Sequence, residues 1–328
     1  CFFNLILTVW LRAIIVTFLL ASVIAVSLGL SLAWHSGHPI DILHAILTFA
    51  GVISLHASVD LLNDYWDFKR GIDTKTKRTK MSGGTGVLPE GLLKPKSVYL
   101  VGIGFLILGA IIGIYFVTIF GITIGLILGF AILSVYFYST KIVNWGLAEV
   151  FVTIKGTLII IGTYFIQTQN IDDFTILAGI VVGIFSSLVL FVTSIPDHDV
   201  DKEKGRRTLI IIFGKPNAVR TFLIFPILAY GIIIYGVVSG LFPIYSLIVL
   251  LAKPFLILAI LILFLFIKIK FQFWSIQPVF HLYDLHHWFN PNKIINPKLP
   301  TINKYINLID IDTFDVKKCP ENILENIC

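Results

Sequence analysis

Charge is scarce in this chain. Of its 328 residues only 13% are Asp, Glu, Lys or Arg, about half of the roughly 25% with which a soluble domain covers itself. Cysteine is scarce too. Cys1, Cys319 and Cys328 are the three thiols, all outside the apolar runs, which excludes a disulfide framework or a thiolate metal centre as an organising feature. The net charge of +6 is spread over separate loops, so nucleic acid is not an expected partner. The glycine-rich stretch Ser82–Gly91 has no Lys-Ser or Lys-Thr directly after any of its glycines, which leaves it without the signature of a P-loop and reads as a turn. No D-G-x-x-A-R element is present, and this removes the CDP-alcohol phosphotransferases from consideration. His286 and His287 are adjacent and have no second ligand pair; they read as surface histidines rather than a metal site. Opening on Cys1 rather than Met, the sequence reads as a fragment or a trimmed gene model.

What is abundant is apolar sequence, at 57% of residues and a mean hydropathy of +0.92. Runs near 20 residues recur, the length that crosses a ~30 Å hydrocarbon core. The predicted architecture is all-α, a polytopic membrane bundle of eight helices at about 5–33, 41–62, 98–117, 120–139, 146–166, 174–195, 218–238 and 242–267. Loops after helices one, three, five and seven contain no Lys or Arg. Those after two, four and six hold Lys69 through Lys96, Lys141, and Lys202 through Lys215. Basic residues in short loops stay on the cytoplasmic side, so both termini and all three basic loops are expected there, in a multi-pass protein of the plasma membrane. Residues 1–270 read as the membrane domain. Residues 271–328 are mixed polar and aromatic, with five prolines; they read as a polar cytoplasmic tail, of the kind a fusion to foreign sequence would leave.

Two acidic clusters end helices two and six, "LLNDYWD" and "SIPDHDVD". They imply two parallel four-helix halves with acidic ends facing one cavity. In a continued helix Asn63 and Asp67 stand at i and i+4, as do Asp197 and Asp201, and such pairs share one face. Hard oxygens on one face suit Mg²⁺, which keeps several waters and completes its shell with substrate phosphates. Acids just outside a membrane helix are often solvated loop residues. Two clusters at matching positions, each followed by a basic run, instead fit a diphosphate held through metal. The metal ligands expected are Asn63, Asp64, Asp67, Asp73, Asp197 and Asp201. Arg78, Lys80, Lys204, Arg206 and Arg207 are placed to stabilise charge on a departing pyrophosphate, although anchoring to anionic lipid would use the same residues. Glu149 and Lys155 fall inside helix five, and ionisable groups at such depth are functional suspects.

"NDYWDFKRGIDTKTKR", "SGGTGVL", "YFYSTK", "WGLAEVFV" and "IPDHDVDKEKGRRTL" together resemble the UbiA superfamily of intramembrane prenyltransferases, in the branch of the 1,4-dihydroxy-2-naphthoate polyprenyltransferases and their archaeal relatives. The likeness runs from about Arg12 to the eighth helix. It implies a Mg²⁺-dependent transfer from a polyprenyl diphosphate to an aromatic acceptor, within membrane lipid and with no protein partner implied. On that footing Asp67, Asp201 and Arg207 are the expected catalytic residues, and Asn63, Arg78, Lys80, Tyr138, Lys141 and Lys204 bind the diphosphate. The family's first motif spaces three residues between acids; here Gly71 takes the third place and Asp73 follows, a spacing the naphthoate branch shares. Asp199 is an extra acid in the second motif. Lys155 stands where a small or neutral residue is usual, and no apolar run after 267 supplies the family's ninth helix. Two other readings remain open: a prenyltransferase with a different lipid or aromatic acceptor, or a non-enzymatic transporter built from parallel repeats. Transporters place their ionisable groups near the midplane, whereas the acids here cluster at helix ends.

Overall fold

The computed structural model describes residues 2–74 and 84–252. Among these residues every regular element is helical. In chain order the α-helices are α1 (Phe2–Ala13), α2 (Val16–His35), α3 (Ile42–Lys69), α4 (Pro95–Phe120), α5 (Ile122–Phe137), α6 (Ala148–Thr168), α7 (Asp173–Glu203), α8 (Leu209–Phe213) and α9 (Ala218–Val238). Six of them, α2, α3, α4, α6, α7 and α9, are long and apolar enough to cross a membrane; α5 is apolar but only 16 residues long. Large apolar side chains such as Ile122, Leu126 and Val238 stand on the outside, where lipid rather than water is their fitting solvent.

The first predicted helix is two. Ile15 adopts a left-handed backbone at φ 49, a conformation costly for a β-branched residue, and α1 breaks from α2 there. Arg12 ties α1 to the loop after α3, pairing both terminal nitrogens with Glu90 at 2.8 Å and donating Nε–H to the Thr85 carbonyl at 2.8 Å. The second and sixth predicted helices run further than expected, to Lys69 and Glu203, so both acidic motifs are helical. α7 continues through Pro196, whose missing N–H frees a carbonyl one turn back. The eighth expected span lies mostly outside the described residues, and its first part, Ile244–Ala252, forms 3₁₀ turns. The boundary at 270 and the tail 271–328 also lie outside them.

Small residues set the closest packing. A Cβ added to Gly183 on α7 would fall 2.2 Å from the Thr153 carbonyl oxygen on α6, so only glycine allows this approach. Gly102 performs the same service between α4 and α3, where its carbonyl accepts from Ser58 Oγ at 2.8 Å. Beyond α7, Phe191, Ile195, Phe222 and Phe225 fill the seam with α9. These contacts fix α3 and α7, the helices that carry the acids.

Candidate active site

Arg206 joins the two clusters. Its Nη2 donates to Asp67 Oδ1 on α3, and its Nη1 reaches Asp201 Oδ1 on α7 at 3.4 Å. All three side chains are nearly sealed from solvent, at 13%, 6% and 3% exposure for Arg206, Asp67 and Asp201. The chain delivers Arg206 by turning sharply after α7: Gly205 sits at φ 81, and the Arg206 N–H donates to the Asp201 carbonyl at 2.9 Å. Burial works against the Arg206 charge. Asp67 and Asp201 more than offset it and raise its pKa above the ordinary arginine value.

More carboxylates surround this pair. Asp73 is buried, and its Oδ2 has no hydrogen-bond partner. Burial first, then repulsion from Asp67 and Asp64, pushes its pKa up to about 8, with Arg206 only partly opposing. Gly84, at φ 69, gives Asp73 room, because a Cβ there would lie 2.8 Å from the carboxylate. Asp197 adds its repulsion to both Asp73 and Asp201. Asp64 turns toward the following loop, accepting from Thr85 N–H at 3.1 Å and Thr85 Oγ1 at 2.5 Å. Asn63 Oδ1 accepts from Ser139 Oγ at 2.8 Å. Arg70 donates to the Thr140 carbonyl at 3.0 Å and to Asn144 at 3.4 Å. The segment after α5 is thus docked on the first motif.

The other predicted residues divide. Tyr138 lies by the centre, where Arg206, Glu149, Asp67 and Asp201 all act on its hydroxyl; burial leads in raising its pKa. Lys204 comes next to Gly71, its Nζ 3.7 Å from where a Cβ would stand. Lys141 is exposed, its ammonium 4.8 Å from the Phe137 ring centre. Arg207, expected among the catalytic groups, is exposed, and its backbone N–H donates to the Val143 carbonyl at 3.0 Å. Its neighbour Arg206 takes the central position. Arg78 and Lys80 fall outside the described residues. Asp199, the extra acid, points outward at 76% exposure and pairs with Lys215 at 2.5 Å and His198 at 2.8 Å. Glu149 is structural: its Oε1 accepts the Leu209 N–H at 2.9 Å, and its backbone carbonyl accepts from Ser187 Oγ at 2.5 Å. It holds the loop that carries Arg206.

Charge balance tests whether cations fit here. Among the described residues, Asp64, Asp67, Asp73, Asp197 and Asp201 act on one another's charge around the buried guanidinium of Arg206. Among the described residues no three of them close on one point as a finished ligand set. A cluster of carboxylates that, among the described residues, includes a buried Asp73 oxygen without a hydrogen-bond partner suits a divalent ion that retains waters and takes substrate oxygens.

The model of the UbiA prenyltransferase family matches residues 8–276. The chain belongs to this family. It is therefore a prenyltransferase and a multi-pass membrane protein. It is 28% identical over 229 residues to the 1,4-dihydroxy-2-naphthoate octaprenyltransferase of Bacillus subtilis, covering 67% of this chain and 72% of that one. With the enzyme of the same name from Escherichia coli it is 26% identical over 263 residues, 76% of this chain and 82% of that one. Among solved structures it resembles a UbiA homolog from Archaeoglobus fulgidus bound to GPP and Mg²⁺, with a TM-score of 0.56 at 17% identity over 77% of this chain and 85% of that one. At that identity the likeness is one of fold.

Proposed function

We propose that this chain transfers a polyprenyl group from a polyprenyl diphosphate to an aromatic acceptor of the 1,4-dihydroxy-2-naphthoate type, with Mg²⁺ as cofactor, in quinone biosynthesis at the cytoplasmic side of the plasma membrane. The names of the bacterial relatives support the acceptor class, and the complete segregation of basic loops supports the orientation. The observation that carries the reading is the buried Arg206 bridge between Asp67 and Asp201. It brings acids from two distant motifs to one place and puts a permanent cation among them.

Asp67, Asp73, Asp197 and Asp201, with Asn63, would hold the ions. Bound there, Mg²⁺ supplies charge neutralisation as pyrophosphate departs. Arg206 and Lys204 offer N–H donors to the same oxygens, where fixed cations in a dry site act strongly on developing charge. The Tyr138 hydroxyl, kept protonated by burial, is a further donor. Asp64 serves a different purpose, fixing the Thr85 loop and, through Arg12, the end of α1. The apolar interior excludes water from the allylic cation that is left behind. The test is Asp67→Ala and Asp201→Ala in purified protein, assayed with labelled prenyl diphosphate and acceptor. Both should lose transfer while remaining inserted and folded; near-normal turnover of either at saturating Mg²⁺ would overturn the two-cluster mechanism.

A further inference from the structure

The acidic motif is the outer end of a longer polar stripe. On α3, His56, Asp60, Asn63, Asp64 and Asp67 follow at i, i+4, i+7, i+8 and i+11, the spacing of one helix face. Asp60 lies about 10 Å further along the axis than Asp67, at a depth where an ionisable group is costly without a role. A cavity of about 130 Å³ opens here, enclosed by α2, α3, α4, α5 and α6. Leu55, Ile112 and Ile159 are typical of its walls, and among the described residues Lys155 of α6 is the one Lys or Arg that lines it. Ser22 Oγ and His56 Nδ1 hydrogen-bond at 2.6 Å, which turns His56 Nε2 toward Asp60 Oδ1 at 3.8 Å. Asp60 Oδ2 is buried with no hydrogen-bond partner. Lys155 and Asp60 feel each other's charge, yet among the described residues no hydrogen bond or contact ion pair joins them. Lys155 thus lines the cavity together with His56 and Val59, and Asp60, next in the chain to Val59, acts on its charge without touching it.

We propose that Lys155 and Asp60 form the subsite for a phenolic hydroxyl of the acceptor ring, whose oxygen accepts from the Lys155 ammonium and whose O–H donates to Asp60 Oδ2. The assignment rests on the proposed function. A hydroxyl fits because it is donor and acceptor in one atom, on a flat apolar body the cavity walls can cover. A carboxylate would set a second anion against Asp60, and a prenyl tail would leave both charges unmet. Drawing the O–H toward Asp60 enriches the ring that must attack the allylic carbon. It also hangs the ring beneath the diphosphate site on the same helix face. Asp60 and Lys155 are positioning and specificity residues in this role, since the diphosphate chemistry is carried one to two turns away.

The test uses the full chain in lipid nanodiscs and two probes, 1-naphthol and 1-methoxynaphthalene, titrated by fluorescence. The methyl ether keeps the ring but cannot donate. Wild type should prefer the naphthol about tenfold, the worth of one buried hydrogen bond, and Lys155→Met or Asp60→Asn should erase that preference. Binding of GPP with Mg²⁺, measured in parallel, should survive in both variants and shows that they are folded. If Lys155→Met alone fails to fold, the neutral pair Lys155→Met with Asp60→Asn replaces it, with the same loss expected. Equal binding of the two probes by wild type, or a preference that persists in the variants, overturns the subsite while GPP binding leaves the parent reading standing. A wild-type chain that binds no GPP overturns the parent reading and the acceptor assignment with it.

Discussion

Replacing Arg206 by Met removes the cation and keeps most of the side chain's volume. Asp67 and Asp201 are then left 6% and 3% exposed with their shared partner gone. Deleting one member of a buried ionic group costs about 3–5 kcal/mol, because the remaining charge stays desolvated. In metal-free buffer the variant should therefore melt on the order of 10 °C below wild type. Excess Mg²⁺ should recover much of that difference, since the ion supplies the missing positive charge to the same carboxylates. Turnover should not recover. A fixed donor aimed at developing charge is worth about 10²–10³ in rate, so Arg206→Met in saturating Mg²⁺ should transfer prenyl groups at least a hundredfold more slowly. Arg207→Met is the control and should change either quantity little, because its side chain is exposed. The measurements are thermal unfolding in detergent with EDTA or Mg²⁺, and a radiolabelled transfer assay. Equal melting of Arg206→Met and wild type in EDTA, or an Arg207→Met defect as large as that of Arg206→Met, would refute the bridge as the centre of the site.

Other expectations follow from single contacts. Metal-free Asp73 holds its proton up to about pH 8, and an Mg²⁺ ligand must be ionised. Apparent Mg²⁺ affinity should therefore rise by up to about tenfold per unit between pH 6 and 8 and level off above 9; calorimetric titrations showing no dependence on pH would exclude Asp73 as a ligand. Gly183→Ala should separate α6 from α7, because its Cβ would stand 2.2 Å from the Thr153 carbonyl. A drop in thermal stability of several degrees is expected, and wild-type stability would mean the helices do not meet there. A cysteine at Lys204 should label from the cytoplasmic side alone and one at Gln169 from the opposite side alone, tested in oriented vesicles; labelling of both from one side would refute the topology.

The spans were legible because each is an apolar run bounded by loops, and lipid leaves backbone groups no partners outside a helix. Helix ends were less so. Hydropathy falls at Leu62 and at Ile195, where polar residues begin, but the chain stays helical to Lys69 and Glu203. The polar turns keep their backbone bonds while their side chains line a site, and hydropathy reads only the side chains. The break at Ile15 had no signal at all: "RAIIVT" contains neither Gly nor Pro, and tertiary docking of Arg12 on Thr85 and Glu90 accompanies the new helix direction.

Within the candidate site, spacing puts the polar residues of each motif on one helix face, since i and i+4 positions share a face. Choosing among "KGRR" was beyond it. Four consecutive residues past a helix point in different directions, and the direction depends on the turn that Gly205 makes. That turn aims Arg206 inward and leaves Arg207 out. Asp60 was missed for a related reason. Read alone, an acid within an apolar run is an oddity; read from Asp67 in steps of three and four, it continues the same face. The matching cation, Lys155, stands 95 positions away on α6, and only packing brings it to a cavity lined by Asp60's neighbours His56 and Val59, close enough for the two charges to act on each other. One of these charges without the other would be hard to sustain in a membrane. Two of opposite sign, held apart, leave a place that a hydroxyl can complete.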